Sequence, residues 1–188
     1  MSDVNALLPE WVTCQKCCLG STATNHVLGS GSIPCDLLFI GEAPGSKEDV
    51  IGKPFIGPSG RLLNEAIGWL RKLPVVPKVF ITNLVACAPW LDKHSRKLRQ
   101  PTPDEISECH PRLERIVEIC KPHGIVLLGL VPRTTLVNFH CEIPRLTLVH
   151  PAFILRQGGM ASSHYTSFVL QLNTFWREIS KSNLLKEV

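Results

Sequence analysis

Four short apolar runs alternate with longer stretches in which apolar residues recur every third or fourth position, and that alternation leaves few architectures open. Residues 36–41 (Asp-Leu-Leu-Phe-Ile-Gly), 78–84, 124–130 and 145–149 have the length and continuous apolarity of strands buried on both faces. Residues 59–72, 102–120, 132–139 and 162–180 have helical periodicity. The first of these carries Leu62, Leu63, Ala66, Ile67 and Leu70 on one face; the second is entered by Pro103 with Asp104 and Glu105 beside it; the last carries Phe168, Leu172, Phe175 and Trp176. The order predicts an α/β fold of three α/β/α layers around a central four-stranded parallel sheet. At 188 residues, 44% of them hydrophobic, the chain fills one domain, residues 1–188, and would be cramped as two.

In such a fold ligands bind outside the carboxyl ends of the strands, here the loops 41–60, 83–100, 129–133 and 150–159. No apolar run reaches 18 residues, so a membrane span is not expected. Eight cysteines without a secretory leader predict a reducing, cytoplasmic setting in which some of them bind metal. A net charge of +4 permits a nucleic-acid partner without requiring one.

Among the cysteines, Cys14-x2-Cys17 has the spacing of a chelate pair, because two intervening residues let both thiolates face one centre. Cys87, just past the second strand, and Cys109, in the second helix, are candidates to complete it, and zinc and an iron–sulfur cluster are both open; both residues also suit ordinary burial as small hydrophobes. Cys18 is the rival within the pair, and Cys35, Cys120 and Cys141 read as incidental thiols. The loop 41–60 holds five glycines and three prolines and ends at a helix start, where free N–H groups can hold an anion. It carries neither a Walker sequence nor Gly-x-Gly-x-x-Gly, and it places Glu42, Glu48 and Asp49 near the aromatic Phe55. Asn83 ends the second strand with an amide able to read a base edge, or to shape a turn. His150, held extended by Pro151, projects from the end of the fourth strand.

Together these residues resemble the fourth, iron–sulfur family of uracil-DNA glycosylases. The resemblance rests on Gly41-Glu-Ala-Pro-Gly45, Glu48-Asp49, Gly52-x-Pro-Phe-Ile-Gly57, Gly60-x-Leu-Leu-Asn64, Ile81-Thr-Asn83, Pro101-x-Pro-Asp-Glu105 and His150-Pro-Ala152, in that order, over roughly residues 14–176. It implies a monofunctional glycosylase that flips uracil from single- or double-stranded DNA and cuts its glycosidic bond, beginning base-excision repair. It further implies a [4Fe-4S] cluster on Cys14, Cys17, Cys87 and Cys109. Gly41 and Ala43 would join in binding uracil, Phe55 would stack on it, Asn83 would bond O4 and N3–H, and His150 would donate to O2. Glu42, ahead of Glu48, would position the water.

For DNA, the same likeness implies contacts from Ser59, Gly60 and Arg61, an apolar wedge from Phe153, Ile154 and Leu155, and phosphate contacts from Arg156, Lys53, Lys93, Arg96, Lys97 and Arg99. The stretch between Cys87 and Cys109 is longer than the family pattern and includes Trp90; Pro58-Ser59 also departs from it. A noncatalytic, replication-associated DNA-binding homologue and a glycosylase for another deaminated base such as hypoxanthine are the alternatives, and a monomer is the default state.

Overall fold

The computed structural model describes residues 4–92, 97–137, 139 and 142–184. Five strands form one sheet: β1 (Ser30–Gly31), β2 (Leu37–Gly41), β3 (Val79–Asn83), β4 (Gly124–Leu128) and β5 (Arg145–Leu148), in the order β1-β3-β2-β4-β5. The four strands expected from the sequence are present and mutually parallel. The fifth, β1, corrects the four-stranded expectation: it is antiparallel to β3 and only two residues long, too short to show a period. Its Gly31 lies where a Cβ would crowd the Val79 carbonyl and the Phe80 Cα, so a glycine is needed for the edge to close.

The helices are α1 (Val4–Leu7), α2 (Pro9–Val12), α3 (Leu19–Thr22), α4 (Ser46–Ile51), α5 (Pro58–Leu70), α6 (Pro103–Cys120), α7 (Leu130–Thr135), α8 (Pro151–Arg156) and α9 (Ser163–Leu184). The strand side chains divide by parity between two cores. Leu38, Ile40, Phe80, Ile125 and Leu127 pack with Leu113, Ile116 and Cys120 of α6 and with Leu8, Trp11 and Leu19 of the amino-terminal segment. Leu37, Phe39, Val126, Leu128 and Leu148 pack with α5 and with Phe168, Leu172 and Trp176 of α9. Both faces are covered, which is why these strands read as unbroken apolar runs. The third helix begins at Leu130 rather than Pro132, since a proline is tolerated in a first turn. Among the described residues no helix is long and apolar enough to cross a membrane.

The start of α6 carries more than a cap. Thr102 Oγ1 accepts the Glu105 N–H at 3.3 Å and Glu105 Oε2 accepts the Thr102 N–H at 2.8 Å, a capping box. The same carboxylate takes both Arg99 amino groups, at 2.7 and 2.6 Å, and the Cys18 thiol at 2.9 Å. Arg99 is thereby committed to Glu105, which corrects its expected place among the phosphate contacts.

The bidentate Arg99 pair, aided by Cys18 and the Thr102 N–H against the opposing effect of burial, holds the Glu105 carboxyl down at about 2. A depressed carboxyl stabilises the fold fully above its ordinary value of 4.5 and ceases to as pH falls toward 2. Glu105→Gln should therefore cost about 1–3 kcal/mol near neutrality, allowing for screening of the part-exposed Arg99. In urea melts the difference between the two proteins should shrink steadily below pH 4.5; a difference constant down to pH 2 would refute the assignment.

Candidate active site and candidate metal centre

The parallel register places Gly41 opposite Asn83 at the carboxyl ends of β2 and β3. Beyond them opens a cavity of about 320 Å³ whose walls include Ala43, Glu48, Phe55, Ser59, Asn83, Leu98 and His150. Asn83 is 2% exposed, and its Oδ1 is a buried acceptor with no partner among the described residues. A Cβ on Gly41 would collide with that oxygen and come within 2.6 Å of Phe55 Cζ. Glycine at 41 is what lets the amide and the aromatic ring converge.

Phe55 is a non-glycine residue in the left-handed region, at φ 52°, a conformation that costs on the order of 1–2 kcal/mol. Its surroundings enforce it. Its carbonyl accepts Asn64 Nδ2 from α5 at 3.3 Å, and Gly60, in the first turn of α5, approaches so closely that a Cβ would clash with that carbonyl. Gly60 thus acts by packing, buried beneath Phe55. Glu48 Oε1 accepts the N–H groups of Ile56 and Gly57 at 3.0 and 2.8 Å, fixing the next two residues. Asp49, 1% exposed, accepts the Thr24 N–H at 2.9 Å and Trp90 Nε1 at 3.1 Å, tying the amino-terminal segment and the second loop to this one. Glu42 is half-buried, its carboxyl pushed up by that burial, and it is not among the residues lining the cavity.

His150 caps α8: its Nδ1 accepts the Ala152 N–H at 3.1 Å. Acceptance at Nδ1 puts the neutral ring's proton on Nε2. Burial, and then the positive charge of Arg156, hold the imidazole below its ordinary value. The ring centroid is 6.3 Å from that of Phe55. A locked amide, an aromatic face and a neutral N–H donor thus border one cavity, equipment for gripping a planar polar ring.

The expected DNA-facing residues divide. Residues 151–156 form α8 instead of a loop, and Ile154 is fully buried in the α5/α9 core, so it is no wedge; period and burial put it inward. Phe153 packs edge-on against His164 at 5.1 Å, while Leu155 and Arg156 are exposed. Lys53, Arg61 and Lys97 are exposed; Lys93 and Arg96, like Cys141, lie outside the described residues. Ser46, Lys47 and Leu98 also line the cavity without having been singled out from the sequence, and of these Leu98 lies outside the first loop. Trp90 and Leu98 form an isolated antiparallel bridge, with Leu91 N–H on the Lys97 carbonyl and Arg99 N–H on the Pro89 carbonyl, and Leu98, 41% exposed, reaches the cavity rim. Its only sequence signal is an apolar residue within a basic run.

A second, smaller cavity lies behind β3. Cys14 and Cys17, between α2 and α3, meet Cys87 and Cys109 around it, with Trp11, Gly20, His26 and Ala86. A Cβ on Gly20 would strike the Cys14 carbonyl, and His26 Nε2 bonds that carbonyl at 2.8 Å, so the chain is held in its curl. Burial first, then the neighbouring Cys109, Cys17 and Cys14, push the Cys87 thiol up to about 12. Cys18 is exposed, points to Glu105 and does not line the cavity. Among the described residues no three His, Cys, Asp or Glu side chains meet the geometry of a single metal ion.

The family model described as the uracil DNA glycosylase superfamily matches residues 28–173. The chain is 42% identical over 133 residues to the type-4 uracil-DNA glycosylase of Saccharolobus solfataricus, a match covering 69% of this chain and 56% of that protein. It is 39% identical over 132 residues to the type-4 uracil-DNA glycosylase of Archaeoglobus fulgidus (69% and 61%) and 38% identical over 117 residues to that of Thermotoga maritima (62% and 56%). The chain thus spans less than two thirds of the length of these relatives.

The Phe55 arrangement makes a direct prediction. Gly60→Ala should destabilise the protein by about 1–3 kcal/mol in thermal or urea melts, because the added methyl meets main chain that cannot rotate away. Gly68 in the same helix, where an added Cβ would meet open space, should gain stability as alanine. Equal effects at the two positions would contradict the packing described.

Proposed function

Because the chain belongs to the uracil DNA glycosylase superfamily, we propose that it excises uracil from DNA, acting as a monomer on a base flipped into the cavity at the strand ends. The observation that carries this reading is the buried, unpartnered Asn83 Oδ1 beside the Phe55 ring. A buried acceptor without a donor costs about 1–3 kcal/mol, and a ligand N–H relieves it. Uracil offers N3–H to that oxygen and O4 to the Asn83 Nδ2, with Phe55 stacked on its face. Cytosine presents the reverse pattern, leaving both amide groups and its own edge unpaired.

For bond cleavage, His150 donates from Nε2–H to uracil O2 as the electron pair of the breaking glycosidic bond moves onto the base. Because Nδ1 is occupied by the Ala152 N–H, the donor is the neutral imidazole. Such a positioned donor is worth roughly 3–4 kcal/mol, or about 10²–10³ in rate. The sugar cation left behind takes water at C1′. Of the two carboxylates considered for orienting that water, Glu48 borders the cavity, with Oε1 anchored on the loop and Oε2 beside Gly45, whereas Glu42 does not; the role passes to Glu48. Ser59, Arg61, Leu155 and Arg156 meet the DNA around the pocket, with Leu98 at its rim.

Cys14, Cys17, Cys87 and Cys109 would hold a [4Fe-4S] cluster. Four soft thiol ligands from three separate segments, gathered round one cavity, suit an iron–sulfur group. When bound, the cluster supplies a cross-link between those segments.

Uracil-containing and matched uracil-free oligonucleotides test the reading. Alkali-labile abasic sites should form only in the first; no product above a catalyst-free control would overturn it, and release of hypoxanthine in place of uracil would redirect it. His150→Ala should slow release about 10²–10³-fold while DNA affinity stays within about twofold. Gly41→Ala should abolish release, since its methyl occupies the space shared by Asn83 and Phe55. With His150 held below its ordinary 6.5, the rate should stay level as pH falls through 6.5 and decline only beneath it, as the imidazolium forms and forfeits the Ala152 bond. A decline centred above 6.5 would contradict the neutral donor.

A further inference from the structure

Among the described residues Arg112 is the largest fully buried side chain, at 0% exposure, and no carboxylate forms an ion pair with it. A guanidinium has five N–H donors, and here each has an acceptor. Nε donates to Cys109 Sγ at 3.3 Å. Nη1 donates to the Leu28 carbonyl and to Thr82 Oγ1, both at 3.1 Å. Nη2 donates to the carbonyls of Asn83 and Leu84, at 2.5 and 3.0 Å. The charge is thus solvated by main chain and sulfur, and the neighbouring groups able to carry a negative charge are the thiols, Cys109 in direct contact and Cys87 within its field.

We propose that Arg112 is a positioning residue that couples the thiol cavity to the base-reading end of β3. One end of its guanidinium is anchored on Cys109, while the other holds the main chain at and just after Asn83, through the carbonyls of Asn83 and Leu84. A group held by Cys109 would fix the sulfur on which Nε rests, and with it the set of the guanidinium. Without that anchor the guanidinium is held only by the Leu28, Asn83 and Leu84 carbonyls and Thr82 Oγ1, and the strand end that aims the amide loosens. The inference rests on Cys109 ligating the cluster and Asn83 reading the base. Helix α6 and strand β3, which carry the two ends, also bring Thr82 into the same network: its hydroxyl donates to the Leu28 carbonyl at 2.7 Å while accepting from Arg112.

The test uses the full-length holoprotein with Arg112→Gln and Arg112→Lys. Removing the cation and its N–H···S bond in Arg112→Gln should shift the cluster's reduction potential downward and slow uracil release about 10–100-fold, with DNA affinity nearly unchanged. Arg112→Lys should recover the potential in part, because it keeps the charge, but not the rate, because it lacks the fork. A third measurement needs no substitution: hydrogen exchange of wild-type holoprotein against protein stripped of iron by chelation. The Leu84 and Val85 amides, bonded to the Gly41 and Glu42 carbonyls, should exchange at least about tenfold faster without the cluster, and those of β5 should not. A wild type lacking cluster absorption or uracil release defeats the proposed function and the coupling with it. A competent wild type whose Arg112→Gln form keeps both potential and rate defeats the coupling alone. If neither variant folds, unchanged exchange at Leu84 and Val85 overturns it, and selective acceleration there upholds it.

Discussion

A missing methyl group at Gly41 is the constraint around which the cavity is organised. The parallel pairing of β2 with β3 runs from Leu37 opposite Val79 to Gly41 opposite Asn83, so the last pair is fixed by four pairs before it. A slip of one residue would turn Asn83 to the other face of the sheet. With the register set, the side chain of 83 and the ring of Phe55 meet over the one position that has no side chain. The same economy recurs at Gly60, where a helix rests directly on the main chain of Phe55, and at Gly129, held at φ 101° with His150 Cβ 3.2 Å from where its own Cβ would stand. Three glycines, Gly41 and Gly60 at the two ends of the first loop and Gly129 just after β4, therefore bring the amide, ring and imidazole together.

Negative charge near the cavity is mostly spent on holding backbone. Asp49 joins three segments, Glu48 clamps the turn after Phe55, and Glu105 closes the first turn of α6 while fastening Arg99. Carboxylates accepting N–H groups make strong, directional bonds, and here they fasten loops that have little apolar surface of their own to bury. The result is a polar cavity whose groups are already in place before a ligand arrives, which is the condition under which dipoles stabilise developing charge without first reorienting. It also means that a carboxylate in these loops is more often a staple than a reagent, and Glu48, anchored through one oxygen at the cavity wall, is placed to be both.

The strands and the long helices were legible because a sheet covered on both faces imposes unbroken apolar runs and its helices an apolar stripe. The boundaries of β2 to β5 lie within two residues of those read from the pattern. What escaped depends on contacts distant in sequence. Arg112 sits in α6 between Pro111 and Leu113 and looks like one more helix-surface charge; its burial becomes intelligible only when Leu28, Thr82, Asn83 and Leu84 are seen to supply its acceptors. Ile154 was misread because an apolar stretch after a histidine suits a protruding loop as well as a short helix, and only the packing of α8 on α5 and α9 chooses. Cys87 and Cys109 had no local spacing to connect them with Cys14 and Cys17.

That thiol gathering answers a difficulty posed by the amino-terminal segment. Helices α1, α2 and α3 have four residues each, far below the length at which an isolated helix persists in water. Their buried side chains, Leu8, Trp11 and Leu19, face α6 and the end of β3, and polar ties from Thr24 to Asp49 and from Val27 to the Ala86 carbonyl hold the following stretch. Such a segment gains from any bond that joins it to distant parts of the chain, because closing a long loop adds only slowly to the entropy already lost. Cys14 and Cys17 belong to the segment, whereas Cys87 lies just past β3, which ends in Asn83, and Cys109 lies in α6. A shared group bound by all four would therefore fasten the least self-sufficient part of the fold to the part that must be held most rigidly, and its free energy of binding would count as folding energy for both.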